Sequence, residues 1–134
     1  MKVEFVTAPH RVLVVKLSSL GDVVHTLPAA MDLQAHFPNA QIDWVVEPSF
    51  APIVKACSAV HRVIACDLRH WRKNMLSQDT RLAWIAFLAE LHLERYDAII
   101  DLQGLTKSAL VSWLARTSNK GKRFAMANTT DGSA

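Results

Sequence analysis

Residues 11 to 28 read Arg-Val-Leu-Val-Val-Lys-Leu-Ser-Ser-Leu-Gly-Asp-Val-Val-His-Thr-Leu-Pro, and the reading of this stretch decides the fold. Val12 to Leu17 is an apolar run broken by one lysine, the pattern of a strand covered on both faces. A short polar turn follows, holding one glycine, Gly21, and one acid, Asp22, and a helical pattern starts at once. Strand, turn and helix in that order open a β-α-β unit, and open α/β sheets bind ligands beyond the carboxyl ends of their strands. Gly21 is the only glycine here, so the G-x-G-x-x-G dinucleotide signature is missing. A carboxylate stands where a pyrophosphate would rest, which points to taking a proton rather than cradling a phosphate.

Working outward, strands and helices alternate. Val23 to His36 has helical spacing, with Val23, Val24, Leu27, Met31 and Ala35 expected on one side. Pro28 allows two readings: Thr26 caps a helix with the proline in its first turn, or the helix starts at Asp22 and kinks. Gln41 to Glu47 reads as a second strand, Phe50 to Cys57 as a short helix and Arg62 to Asp67 as a third strand. Ser77 to Glu94 is the longest helix, with Leu82, Ile85, Leu88 and Leu91 three apart and Asp79 in its first turn. Tyr96 to Leu102 is a fourth strand. Thr106 to Arg116 is a helix with a stripe of Ala109, Leu110, Trp113 and Leu114, and Lys122 to Met126 reads as a fifth strand. Such alternation predicts an α/β, Rossmann-like parallel sheet with helices on both faces and strand order 3-2-1-4-5. The loops after strands 1 and 4 then meet at the switch point.

The bulk numbers fit one domain: 134 residues, 51% hydrophobic and 20% charged. No apolar run approaches the roughly 20 residues that span a bilayer, and the first ten residues lack a signal-peptide core, so the default location is cytoplasmic. Cys57 and Cys66 fit neither a zinc knuckle nor a redox pair and read as small core residues. A net charge of +3 permits an anionic partner without demanding nucleic acid. The chain breaks off in a polar tail after the fifth strand, so we expect either a frayed end or the front part of something longer.

Asp22 is the first chemical candidate. Ser19-Leu20-Gly21-Asp22 matches a capping box, a purely structural role. It also sets a carboxylate near a helix start, where the dipole favours negative charge and where it could take a proton from a hydroxyl. The basic run Arg69-His70-Trp71-Arg72-Lys73 reads either as a solvated loop or as an anion clamp. Asp101, Gln103 and Lys107 form a third set around strand 4, with Gly104 expected to turn the chain. Lys107 places a positive charge against a helix start, and Lys16 sits inside an apolar strand; both break local rules. Glu47 closes strand 2, and His25 could assist proton transfer or be structural. There is no P-loop, no nucleophile elbow and no metal-ligand cluster.

Taken together, residues 12 to 29 closely resemble the start of the lipopolysaccharide heptosyltransferase I family, a branch of glycosyltransferase family 9. So do Asp43-Trp44-Val45-Val46-Glu47, Trp71-Arg72-Lys73, and the run from Tyr96 to Leu105 with Lys107-Ser108. His25-Thr26-Leu27-Pro28 and Arg72-Lys73 look more like the first heptosyltransferase than the second. The resemblance implies an inverting transferase of the two-domain GT-B type that uses neither a metal nor another cofactor. It would move L-glycero-D-manno-heptose from ADP-heptose to Kdo2-lipid A, with nucleic acid not a partner. It implies Asp22 as the base, and Arg69, Arg72 and Lys73 as the holders of the anionic acceptor. Gln103 and Lys107 would line the crevice, with Lys16, Ser19, Gly21 and His25 also at substrate. Residues 1–134 would be a single acceptor-binding domain, cut before the nucleotide-sugar domain and inactive alone. Contact with the cytoplasmic face of the inner membrane would be peripheral. The rival reading is a non-catalytic module that binds an anionic glycolipid or nucleic acid through residues 69–73.

Overall fold

The computed structural model describes residues 8–103 and 106–125. Strands β1 (Arg11–Val15), β2 (Gln41–Val46), β3 (Arg62–Ala65), β4 (Tyr96–Asp101) and β5 (Thr117–Ala125) form one parallel sheet in the order β3-β2-β1-β4-β5. That is the expected order. Val14 of the central strand lies between Trp44 and Ile100, so the register centres three wholly buried apolar residues.

Helices cover both faces, which is why the strands lack polar alternation. On one side Val12, Val14, Ile42, Trp44 and Ile100 pack under α1 (Leu20–His36) and α2 (Ala51–Lys55). On the other, Leu13, Val15, Val45 and Ile99 pack under α3 (Leu68–Lys73), α4 (Gln78–Leu91) and α5 (Thr106–Leu114). Cys66 is buried and Cys57 half-buried, and the two are not joined in a disulfide. No helix among the described residues is long and apolar enough to cross a membrane.

Several local expectations are corrected. The helix after β1 begins at Leu20 and continues past Pro28 to His36. Thr26 caps nothing; its hydroxyl bonds back to the Asp22 carbonyl at 2.6 Å. The buried row of α1 is Val23, Ala30 and Leu33, with Leu27 beside it, while Val24, Met31 and Ala35 face out. In α4 the inward residues are Thr80, Phe87 and Leu91, whereas Leu82 and Ile85 are exposed. Aromatic packing sets that rotation: Trp84 and Phe87 meet Trp71 of α3 at 5.5 and 5.6 Å between ring centres, and rings in such tilted contact outcompete aliphatic spacing. In α5 Val111 and Ser112 are buried, as is Ala115 just beyond it, and Trp113 is exposed. Residues 69–73, weighed as a loop, form helix α3 instead. β5 starts five residues before the expected Lys122, because its register against β4 slips between Tyr96 and Ala98. Gly104, Met126 and the polar tail lie outside the described residues.

A polar cluster lies under α4. Asp43, 3% exposed, accepts the Tyr96 hydroxyl at 2.6 Å and the Arg62 guanidinium at 3.3 and 3.4 Å. Arg62 also donates to the Glu90 carbonyl at 2.9 Å, tying strand and helix together. A buried carboxylate needs such partners, since an unpaired charge there would cost several kcal/mol, on the order of 3–5. Burial, together with the Asp43 carboxylate, pushes the Tyr96 phenol well above its ordinary value. Asp97, beside it, accepts the amides of His10 and Arg11 and the hydroxyl of Ser118. Burial works against its charge, but those bonds win and hold the carboxyl below its usual value.

Tyr96 is the only tyrosine, so absorbance titration of the phenolate reads this cluster alone. We expect no ionisation in the folded chain at pH about 10, where an unfolded tyrosine titrates. A raised folded pKa adds stability that is complete below the unfolded value and lost as pH climbs toward the folded one. Tyr96→Phe should therefore flatten the loss of stability above pH about 10. A native titration midpoint at the ordinary value would contradict the cluster.

Candidate active site at the strand ends

The residues with chemical potential gather where β1 ends. Its outgoing segment, Lys16 to Ser19, belongs to no ladder, yet most of its backbone groups are bonded. The Lys16 amide donates to the Val45 carbonyl at 3.2 Å, and the Lys16 carbonyl accepts the Trp44 indole at 3.1 Å. The Leu17 and Ser18 amides donate to the Gln103 side-chain oxygen at 3.1 and 3.3 Å. The Leu17 carbonyl accepts the Glu47 amide at 3.1 Å. The Lys16 ammonium reaches the Leu102 carbonyl at 3.3 Å. Thus the loops after β1 and β4 meet as expected, and Lys16 and Gln103 are the groups that join them.

Asp22 lies in the first turn of α1 and is exposed at this edge. Ser19 occupies the N-cap position, but its side chain does not cap the backbone. Its hydroxyl donates instead to the Asp22 carboxylate at 3.3 Å. The capping box is therefore right in position and wrong in bonding, which leaves the carboxylate facing solvent. His25, one helical turn on, is exposed too. A side chain added at Gly21 would meet nothing within 4 Å, so this glycine answers no packing demand and leaves the backbone open to approach.

The cationic residues lie two strands away on α3. Arg69 pairs with Glu47 at 3.5 Å, and Glu47 is held to the β1 loop by its amide. Arg72 and Lys73 are exposed, with no ion-pair partner among the described residues. The structure therefore splits the clamp: Arg69 braces the edge, and Arg72 and Lys73 present free charge. Lys107 belongs to the first turn of α5, and nothing of its side chain is described. Sequence reasoning missed Arg81, an exposed cation on α4 facing the same cavity as Arg72. The cue in the chain is an arginine beside Leu82 and Ile85, apolar residues at helical spacing.

No family model matches the chain. Lipopolysaccharide heptosyltransferase 1 of Escherichia coli K12 is 52% identical over 106 residues, 78% of this chain and 33% of that protein. The protein of the same description from Pseudomonas aeruginosa is 50% identical over 106 residues, 79% of this chain and 29% of its own length. Among solved structures, E. coli heptosyltransferase WaaC with ADP-2-deoxy-2-fluoro heptose superposes with a TM-score of 0.79 at 46% identity. That match covers 87% of this chain and 36% of the other. E. coli ADP-heptose LPS heptosyltransferase II gives 0.63 at 25% identity, over 86% and 30%.

Replacing Gln103 by Ala should cost about 1–3 kcal/mol, because two loop amides lose their acceptor at once. Amide hydrogen exchange at Leu17 and Ser18 should speed up markedly, while that of β2 should hold. Unchanged exchange would mean that the loop is secured elsewhere. By sequence and by fold, the chain belongs to the lipopolysaccharide heptosyltransferase 1 family, and it spans about a third of the length of the curated relatives it matches.

Proposed function

We propose that this chain is the acceptor-side part of an inverting glycosyltransferase that moves L-glycero-D-manno-heptose from ADP-heptose to Kdo2-lipid A. The observation that carries the reading is Asp22: an exposed carboxylate at the carboxyl edge of a parallel sheet, in the first turn of a helix, within a stretch about half identical to heptosyltransferase 1.

The chemistry asks little of this part. An acceptor hydroxyl must lose its proton as its oxygen attacks the anomeric carbon. Asp22 takes that proton, and the Ser19 hydroxyl, 3.3 Å away, fixes its rotamer. Inversion follows from a single displacement, with the nucleoside diphosphate leaving from the opposite face. The positive end of α1 favours the negative charge at Asp22 before the proton arrives. Arg72 and Lys73 give the acceptor's carboxylates and phosphates cations that no acid of the described chain already neutralises. Gly21, His25 and Lys16 border the acceptor, and Gln103 and Lys107 border it from the β4 side. The donor is held by a further α/β domain outside this chain, which works at the cytoplasmic face of the inner membrane. No metal or other cofactor takes part in this reading.

Proximity makes both parts necessary, because the donor carbon has to sit within about 3–3.5 Å of the attacking oxygen. Purified residues 1–134 should therefore transfer no heptose from ADP-heptose. In a protein carrying this stretch together with a donor-binding half, Asp22→Asn should lower kcat by about 100-fold or more with KM for acceptor little changed. Arg72→Ala with Lys73→Ala should instead raise that KM. Undiminished turnover in Asp22→Asn would remove the base, and a chain that binds acceptor with no rate to lose would be the binding module.

A further inference from the structure

A cavity of about 420 Å3 opens between α3 and α4. Trp71, Trp84, Met75 and Ile85 form its walls, and Arg72 and Arg81 line it as well. The volume lies in the range of ligand sites, roughly 300–1,000 Å3. The two tryptophans meet nearly edge to face, at 85°, so one flank is a rigid aromatic corner. Met75 is 70% exposed and Ile85 62%, apolar surface that an occupant would remove from water. Neither arginine has an ion-pair partner among the described residues.

This pairing narrows the occupant. A sugar or a nucleotide would find few hydrogen-bonding partners on these largely apolar walls beyond Thr80 and the two arginines. A neutral hydrocarbon would fill the walls and leave two guanidiniums idle. A chain that is apolar along its length and anionic at its head satisfies both halves, since arginine can lay its methylenes along an apolar wall and keep its charge at the mouth. We propose that the α3–α4 cavity binds one acyl chain of a phosphorylated lipid, with the phosphate held by Arg72 and Arg81. Its natural setting rests on the acceptor reading given above. The site would let the enzyme grip the lipid end of an acceptor whose sugar end reaches Asp22, separating recognition from reaction.

The test uses the purified chain and monomeric dodecyl phosphate brominated near its tail, since bromine quenches a tryptophan it touches. Saturable quenching is expected, about tenfold tighter than with uncharged dodecyl maltoside brominated in the same way. Arg72→Ala combined with Arg81→Ala should erase that preference. Ile85→Asp, at an exposed position, should weaken binding of the phosphate by about tenfold or more. Circular dichroism and the thermal midpoint confirm that each variant is folded; should the arginine pair unfold the chain, Ile85→Asp still decides. Equal affinity for the two amphiphiles, or quenching that never saturates, overturns the proposal. So does binding to phosphatidylglycerol vesicles with none to the monomer, which would make this face a bilayer dock. No quenching alongside a full Asp22→Asn rate loss strikes only the cavity; binding without that rate loss strikes only the transfer reading.

Discussion

The end of β1 is where a chain of this type is most exposed to error. A parallel strand that stops beside a functional edge leaves amides and carbonyls without ladder partners, and each unmet bond in a half-buried place costs free energy. Here the segment is stitched from three directions: Val45 and Trp44 from the second strand, Glu47 just beyond it, and the Gln103 amide oxygen from the far side of the switch point. Everything that points outward from this edge depends on that stitching. Asp22 can stand in solvent with a defined place because the turn before it cannot drift. Arg69 is drawn in through Glu47, whose own amide is already committed to Leu17.

The two ends of the sheet are divided by chemistry. Toward the amino ends, the buried Asp43 carboxylate gathers the Tyr96 hydroxyl and the partly exposed Arg62 through one of its oxygens, and Asp97 clips the start of β1 to that of β5. At the carboxyl ends, Asp22 and His25 stand exposed beyond a loop whose backbone is bonded to Gln103, Val45 and Glu47. The exposed carboxylate therefore lies at the end of the sheet where open α/β folds bind ligands.

Much of this was legible from residue patterns. Val12 to Leu17 and Tyr96 to Leu102 are apolar enough to admit only strands covered on both faces, so the architecture and strand order followed. Asp22 stood out as an acid in a turn where the fold puts ligands. Helix rotation was not legible. Leu82 and Ile85 have helical spacing as good as that of Trp84 and Phe87, and only the arrival of Trp71 from another segment decides which row turns inward. Nor could local pattern show that Gln103 would act as an acceptor for amides some 85 residues earlier, or that Asp43 would be buried with Arg62 rather than left on the surface. Both depend on long-range contacts, which spacing along the chain does not encode. The basic run misled because its charges mask the single inward residues, Leu68 and Trp71, that anchor it as a helix.

Helix α3 has six residues, too few to persist in water by its own hydrogen bonds. What fixes its orientation is the indole of Trp71, wedged among the rings of Trp84 and Phe87. The cations on its outer side are therefore mounted on an aromatic bearing that belongs to a different helix. Natural variation at position 84 would re-aim the positive charges of α3 without altering any charged residue, so binding preferences among relatives can diverge through their cores as readily as through their surfaces.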